Sequence, residues 1–188
     1  MKPILFVLSA PSGGGKTSLC MKLLESFPKE LALSISCTTR APRPGEQEGR
    51  EYFFISKSDF KDRIQKGAFA EWAEVHDNYY GTSKEFIETT FKSGKSVLLD
   101  IDVQGAATLA QLYPKQCTRV FIMPPSIEEL ENRLRARGTD SEEVIQKRLK
   151  NARVEILRKN EFEFNLINDT FDRALQELKS IYLKTTHA

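Results

Sequence analysis

The sequence predicts an α/β protein in which a mainly parallel β-sheet carries helices on both faces. Short continuous apolar runs, typical of strands buried on both sides, occur at residues 4–8, 96–101, 119–123 and 164–167. Apolar residues at helical spacing follow these runs, at residues 19–27, 105–112, 126–137, 141–160 and 171–183. Because buried strands that alternate with helices are joined by right-handed crossovers, the pattern favours a parallel sheet.

Helix boundaries can be read from capping signals. Ser126 and Glu129 have the spacing of a capping box after two prolines, and Gly138 is a suitable stop. The same spacing at Thr82 and Glu85 predicts a helix that opens at Thr82 and ends near Gly94.

The 188 residues suit one domain with two elaborations. Short β-prone pieces around a polar, proline-containing loop predict a mixed α/β insertion at residues 33–93. A charged helical hairpin of low apolar content predicts a small mobile lid at residues 125–153. The core is then built from residues 1–32, 94–124 and 154–188.

Composition limits the classes of partner and the compartment. Lys plus Arg number 28, and Asp plus Glu number 26. This near balance argues against a protein that coats DNA or an anionic membrane, because such a protein needs a dominant positive charge. Phe53, Phe54 and Trp72 are expected at apolar core positions rather than as base-stacking platforms. No export signal and no disulfide framework can be read, which favours the cytoplasm; the three cysteines are expected to be structural thiols. A homo-oligomer is left open.

Residues 9–17, with the sequence SAPSGGGKT, resemble the Walker A loop G-x-x-x-x-G-K-[ST] between a buried strand and a helix. Such a loop wraps backbone N–H groups around phosphates at a helix N-terminus. Lys16 would reach the β- and γ-phosphates, and the Thr17 hydroxyl would hold Mg²⁺. Ala10 stands where the motif has glycine, which requires a negative φ there. The alternative is a glycine-rich turn that binds nothing. The predicted ATP-binding residues of the loop are Ala10, Pro11, Ser12, Gly13, Gly14, Gly15, Lys16 and Thr17.

Further blocks along the chain resemble guanylate kinases, the P-loop nucleoside monophosphate kinases that act on GMP. These blocks are SCTTRAPRPGE at residues 36–46, GREYFF at 49–54, EWA at 71–73, NYYGT at 78–82 and LDIDVQG at 99–105. Their order and spacing cover nearly the whole chain. The resemblance implies a P-loop core, ATP and GMP as substrates, and Mg²⁺ as the cofactor.

The resemblance implies that the GMP phosphate is held by arginines and hydroxyls at Ser36, Arg40, Arg43, Tyr52 and Tyr80. Two guanidinium forks with three hydroxyls suit a dianion. The alternative for Arg40 and Arg43 is a pair of solvated loop charges.

It also implies that Glu71, Thr82 and Asp102 read the base. Guanine offers N1–H and N2–H₂ as donors and O6 as an acceptor, so carboxylates and a hydroxyl match its edge, whereas adenine presents an acceptor at N1. The alternatives are an exposed strand carboxylate for Glu71 and a helix cap for Asp102, which could also do both.

The remaining predictions concern the metal and the lid. Asp100, at the end of a buried strand, is predicted to bind Mg²⁺ directly or through water; the alternative is a helix cap. The resemblance implies that Arg137 and Arg148 close over the phosphates, and that Arg133 and Asn168 contact ATP. The alternative for the lid arginines is ion pairing with neighbouring glutamates.

These assignments predict direct in-line transfer from MgATP to GMP, and to dGMP by the same chemistry, without a covalent intermediate. Lys16, Arg40, Arg137 and Arg148 are the expected catalytic residues, acting by position and charge. Two alternatives are a kinase for another monophosphate and a catalytically inactive guanylate-kinase-like binding module.

Overall fold

A computed structural model of the chain describes residues 2–75, 77–136, 138 and 140–187. The strands are β1 (Leu5–Ser9), β2 (Leu31–Leu33), β3 (Cys37–Thr38), β4 (Phe53–Phe54), β5 (Phe69–Val75), β6 (Asn78–Ser83), β7 (Ser96–Asp100), β8 (Cys117–Met123) and β9 (Phe164–Ile167). The helices are α1 (Lys16–Ser26), α2 (Lys57–Gln65), α3 (Lys84–Lys92), α4 (Val103–Leu112), α5 (Ile127–Ala136), α6 (Glu142–Leu157) and α7 (Phe171–Thr186), with a 3-10 turn at Arg158–Glu161.

The main sheet has five parallel strands in the order β2-β7-β1-β8-β9. Alternate residues of β1 point to opposite faces, as the pleat requires. Phe6 and Leu8 pack towards α1 and α7, whereas Leu5 and Val7 pack towards α3 and α4. Both faces are therefore covered, which confirms the predicted parallel α/β core.

A second sheet has four strands in the order β4-β3-β6-β5 and mixes parallel with antiparallel pairing. Its own small apolar cluster contains Cys37, Phe60 and Phe69. Another separate cluster joins α5 to α6, through the buried side chains of Leu130, Leu134, Ile145, Leu149 and Ala152.

Several local predictions need correction. Helix α3 is capped by Ser83 and not by Thr82: the Ser83 hydroxyl accepts from the N–H of Phe86, whereas the Thr82 hydroxyl donates to Glu71. The predicted core positions of Phe53 and Trp72 are wrong, since these side chains are 39% and 47% exposed. Both lie on outer strands of the small sheet, where one side is open to solvent.

Three elements were not predicted: β2, α2 and β6. Strand β2 is only three residues long, and α2 has a single buried residue, Phe60, so neither carries a clear apolar period. The Ser126 cap is confirmed, because its hydroxyl accepts from the N–H of Glu129. In the part of the chain that the structure describes, no helix has both the length and the apolarity to span a bilayer.

Candidate active site

The glycine-rich loop joins the carboxyl end of β1 to the N-terminus of α1. Gly15 is the N-cap residue of α1 with φ 86°, and Gly13 has φ 95°, so both need the left-handed conformation that glycine allows. Among the described residues only Asp77 is a non-glycine with positive φ. The φ angle of Ala10 is therefore negative, as the Walker A pattern requires of an alanine at this position. The loop lines a concavity of about 340 Å³ together with Glu155 of α6.

Lys16 and Thr17 converge on Asp100. Strands β1 and β7 run parallel with Leu8 beside Asp100, which brings the carboxylate next to the first turn of α1. The ammonium of Lys16 lies 2.6 Å from Asp100 Oδ1, and Thr17 Oγ1 donates to Oδ2 at 3.0 Å. Asp100 does not cap a helix; Asp102 does, accepting from the N–H groups of Gln104 and Gly105.

A second concavity, of about 370 Å³, lies between the small sheet and the carboxyl end of β7. It brings together the predicted acceptor-site residues, except Thr82, with several others: Ser36, Arg40, Arg43, Glu46, Tyr52, Glu71, Ala73, Tyr80, Asp100, Ile101 and Asp102. Asp100 lines this concavity and also contacts Lys16. The glycine-rich loop and the second concavity therefore meet at Asp100.

Arg40 is not a solvated loop charge, because its side chain is only 14% exposed. Its Nη2 donates to both oxygens of Glu46 at 2.8 and 2.9 Å, and its Nη1 donates to the carbonyl of Ala41. The guanidinium also lies 5.5 Å from the ring centroid of Tyr52. Arg43 is exposed at the rim.

Glu71 is buried in strand β5, so the exposed-carboxylate alternative is wrong. Burial raises the pKa of Glu71, against the opposing effect of the hydrogen bond from Thr82. Thr82 is fully buried and lies behind Glu71 rather than in the cavity wall. A Cβ on Gly105 would lie 2.9 Å from Glu71 Oε2, so glycine is needed there for close approach.

The lid arginines behave differently from one another. Arg133 pairs with Glu129 at 2.9 Å, as the alternative expected, and its Nη2 also donates to the backbone carbonyl of Asn168 at 3.0 Å. Arg148 Nη1 lies 3.3 Å from both Ser12 Oγ and Asp140 Oδ2. Arg137 lies outside the described residues.

Asn168 is buried against the phosphate loop. Its Nδ2 donates to the carbonyl of Gly14 at 2.9 Å. This bond and the one from Arg133 link helix α5 to the glycine-rich loop through Asn168.

Sequence reasoning gave no role to Glu46, Gly105 or Glu155. Glu46 and Gly105 lie inside the guanylate-kinase-like segments at residues 36–46 and 99–105, and this position is the signal that could have found them. Glu155 is half-buried beside the phosphate loop, and burial raises the pKa of its carboxyl while Lys16 opposes that shift. Only the packing of α6 brings it there, and the sequence carries no sign of this.

Comparisons with known proteins agree on one family. The sequence model described as guanylate kinase matches residues 1–185. A guanylate kinase of Idiomarina loihiensis is 49% identical over 95% of this chain and 85% of its own length, and one of Hydrogenovibrio crunogenus is 50% identical over 98% and 89%. The crystal structure of guanylate kinase from Anaplasma phagocytophilum superposes with a TM-score of 0.78 at 32% identity, covering 97% of this chain and 85% of that one. The extent and agreement of these matches show that the chain belongs to the guanylate kinase family.

Proposed function

We propose that this chain transfers the γ-phosphoryl group of ATP directly to GMP, and to dGMP, forming ADP and the nucleoside diphosphate. The family supports guanylate kinase activity. The observation that carries the residue-level proposal is the meeting of two sites at Asp100: the phosphate loop on one side and a cavity lined by arginine, tyrosine and buried carboxylate on the other.

The acceptor phosphate is bound by Arg40 and Arg43 with the hydroxyls of Ser36, Tyr52 and Tyr80. All five line one cavity, and charge-assisted hydrogen bonds from several directions suit a tetrahedral dianion. A phosphate oxygen is already anionic near neutral pH, so the reaction needs no general base.

The base is read by Glu71 and Asp102, with Thr82 holding Glu71. A carboxylate accepts from guanine N1–H and N2–H₂, whereas the N1 acceptor of adenine would face its lone pairs. Asp102 uses Oδ1 for the helix cap, which leaves Oδ2 for a ligand.

Donor-side binding uses the loop 10–17, with Arg133 and Asn168 near the nucleotide. Arg148 already reaches Ser12 of the loop, and Arg148 and Arg137 are the lid residues that neutralise charge on the phosphates. Closure of the lid at residues 125–153 and of the insertion at residues 33–93 over the core excludes water, so that ATP is not hydrolysed.

Mg²⁺ fits the donor set at Asp100 and Thr17. This ion is usually held by one or two carboxylates plus substrate phosphates and water, rather than by an all-protein cage. One carboxylate and one hydroxyl 3.0 Å apart match that pattern, and the described residues hold no cluster of three His, Cys, Asp or Glu ligands. When bound, Mg²⁺ neutralises charge on the transferred group. We assign the enzyme to the cytoplasm, where both nucleotides are found.

The test is coupled ADP production with MgATP and GMP, AMP, UMP or CMP as the acceptor. Turnover with GMP alone supports the reaction and the reading of the base. Turnover with another acceptor keeps the kinase and refutes the base assignment. ATP binding without turnover on any acceptor refutes the enzyme and favours a binding module. Lys16→Ala is expected to abolish turnover and leave the circular dichroism spectrum unchanged.

A further inference from the structure

Glu46 is a carboxylate in the wall of a cavity that we assign to a dianionic phosphate. Its side chain is 17% exposed, and its carboxylate contacts the guanidinium of Arg40 and the backbone N–H of Arg43. We propose that Glu46 is a positioning residue that fixes Arg40 and the Arg43 loop for the acceptor phosphate. This inference rests on the proposed function and adds a role for a residue that does not itself bind the substrate.

The first argument is the geometry at Arg40. Nη2 of Arg40 donates to both Glu46 oxygens, and Nη1 donates to the carbonyl of Ala41 at 2.7 Å. These contacts hold the guanidinium from one side, while the rings of Tyr52 and Phe54 lie 5.5 and 5.9 Å from its carbon. The guanidinium is thus held at the cavity wall, and a phosphate does not have to select it from many arginine rotamers.

The second argument is the loop that carries Arg43. Glu46 Oε2 accepts from the backbone N–H of Arg43 at 2.7 Å, and the N–H of Glu46 donates back to the Arg43 carbonyl at 3.0 Å. Gly45, with φ 88°, provides the left-handed residue that closes this tight turn. One carboxylate thus links the guanidinium of Arg40 to the backbone of Arg43.

The third argument is charge. A carboxylate that faces a phosphate site repels the ligand unless a cation neutralises it. The hydrogen bonds from Arg40 and from the Arg43 N–H lower the pKa of Glu46, so it is ionised together with Arg40. The guanidinium of Arg43, which is exposed and forms no ion pair within 4 Å in the described part of the chain, then remains for the phosphate.

The test is Glu46→Gln, which keeps the side-chain shape and weakens its hold on Arg40. The KM for GMP is expected to rise about tenfold or more, as for the loss of a hydrogen bond between charged groups. The KM for ATP and the affinity for guanosine, which has no phosphate, are expected to stay within about twofold. Glu51→Gln is the matched control, because Glu51 also pairs with an arginine and accepts a backbone N–H in the same loop but lies outside the acceptor cavity.

A double-mutant cycle separates positioning from general disruption. In an Arg40→Met background, Glu46→Gln is expected to raise the KM for GMP by a smaller factor than in the wild type, because only the contact with the Arg43 backbone is then lost. Additive effects, an unchanged KM in the single variant, or an equal loss of guanosine affinity would each overturn the proposal. Tighter GMP binding would overturn it too, because Glu46 would then be blocking Arg40.

The two proposals fail in different ways. Turnover of the wild type with GMP tests the proposed function. The ratio of the KM for GMP between Glu46→Gln and the wild type tests the role of Glu46. If Glu46→Gln does not fold, Glu46→Asp is measured in its place; it keeps the charge, and it is expected to raise the KM for GMP while leaving guanosine binding intact.

Discussion

Thr82 Oγ1 donates a hydrogen bond to Glu71 Oε1 between directly paired residues of the antiparallel strands β5 and β6. Both side chains are buried, so the bond is shielded from water. It orients the carboxylate whose other oxygen lies beside Gly105 at the cavity wall. This pair is therefore the place to separate the energetics of folding from those of base recognition.

Glu71→Gln is expected to weaken guanosine binding about tenfold or more and to raise the free energy of unfolding near neutral pH. The pKa of Glu71 is raised in the folded protein, so its ionised form is disfavoured there relative to the unfolded chain. Stability from this group is present below the unfolded pKa and is lost as the pH rises through the folded pKa. Glutamine removes that loss. Isothermal calorimetry and urea unfolding at pH 7 measure the two effects.

The same reasoning predicts how the effect depends on pH. The stability difference between Glu71→Gln and the wild type should shrink as the pH falls below the folded pKa, where both side chains are neutral. A difference that grows towards acid pH would contradict the assignment. Where binding is also measured as a function of pH, guanosine is the ligand to use, because the phosphate of GMP itself titrates near pH 6.

Thr82→Val is expected to lower guanosine affinity about tenfold, whereas Thr82→Ser is expected to stay within about twofold. Valine keeps the shape but removes the donor, which leaves a buried carboxylate oxygen without its partner. Serine keeps the hydroxyl. Equal losses in the two variants would show that the methyl group, and not the hydrogen bond, matters.

Asp100→Asn is expected to reduce turnover at least about tenfold while GMP binding changes little. The substitution removes the 2.6 Å ion pair with Lys16, and it also removes the negative charge of the carboxylate that we propose as a Mg²⁺ ligand. Steady-state rates over a range of Mg²⁺ concentrations check this, and the variant should need more Mg²⁺ for half-maximal rate. An unchanged Mg²⁺ dependence would remove Asp100 from the metal site.

Gly15→Ala is expected to destabilise the protein by more than about 1 kcal/mol and to abolish ATP binding. Its φ is 86°, and the new Cβ would lie 2.3 Å from Asn168 Nδ2. Gly94→Ala is the matched control, because φ is 80° there and nothing lies within 4 Å. Thermal unfolding of both variants measures strain alone in one and strain plus collision in the other. Equal losses would refute the contact with Asn168.

The sequence predicted those parts of the candidate site in which neighbouring residues along the chain lie together in space. Residues 9–17 and Asp100 could be assigned because a strand, a tight loop and a helix follow one another, and parallel strands bring their carboxyl ends to one edge. Strand β9 was predicted with its observed bounds. Helix α2 could not be predicted, because one buried phenylalanine makes no periodic pattern.

Tertiary contacts explain what the sequence could not reveal. Thr82 was predicted to open a helix, yet its hydroxyl is used across the hairpin, and only the strand register decides this. The hold of Glu46 on Arg40 depends on a turn of the loop rather than on a spacing rule. Glu155 reaches the phosphate loop only because α6 packs against it.

The apolar cluster of the lid is separate from the cluster of the small sheet and from those of the main sheet. Two sets of side chains therefore stabilise the helical pair and the main sheet independently. A large-to-small substitution inside the α5–α6 cluster should loosen that pair locally, before the parallel strands lose their own packing. Unfolding can then begin at one end of the molecule while the sheet remains intact.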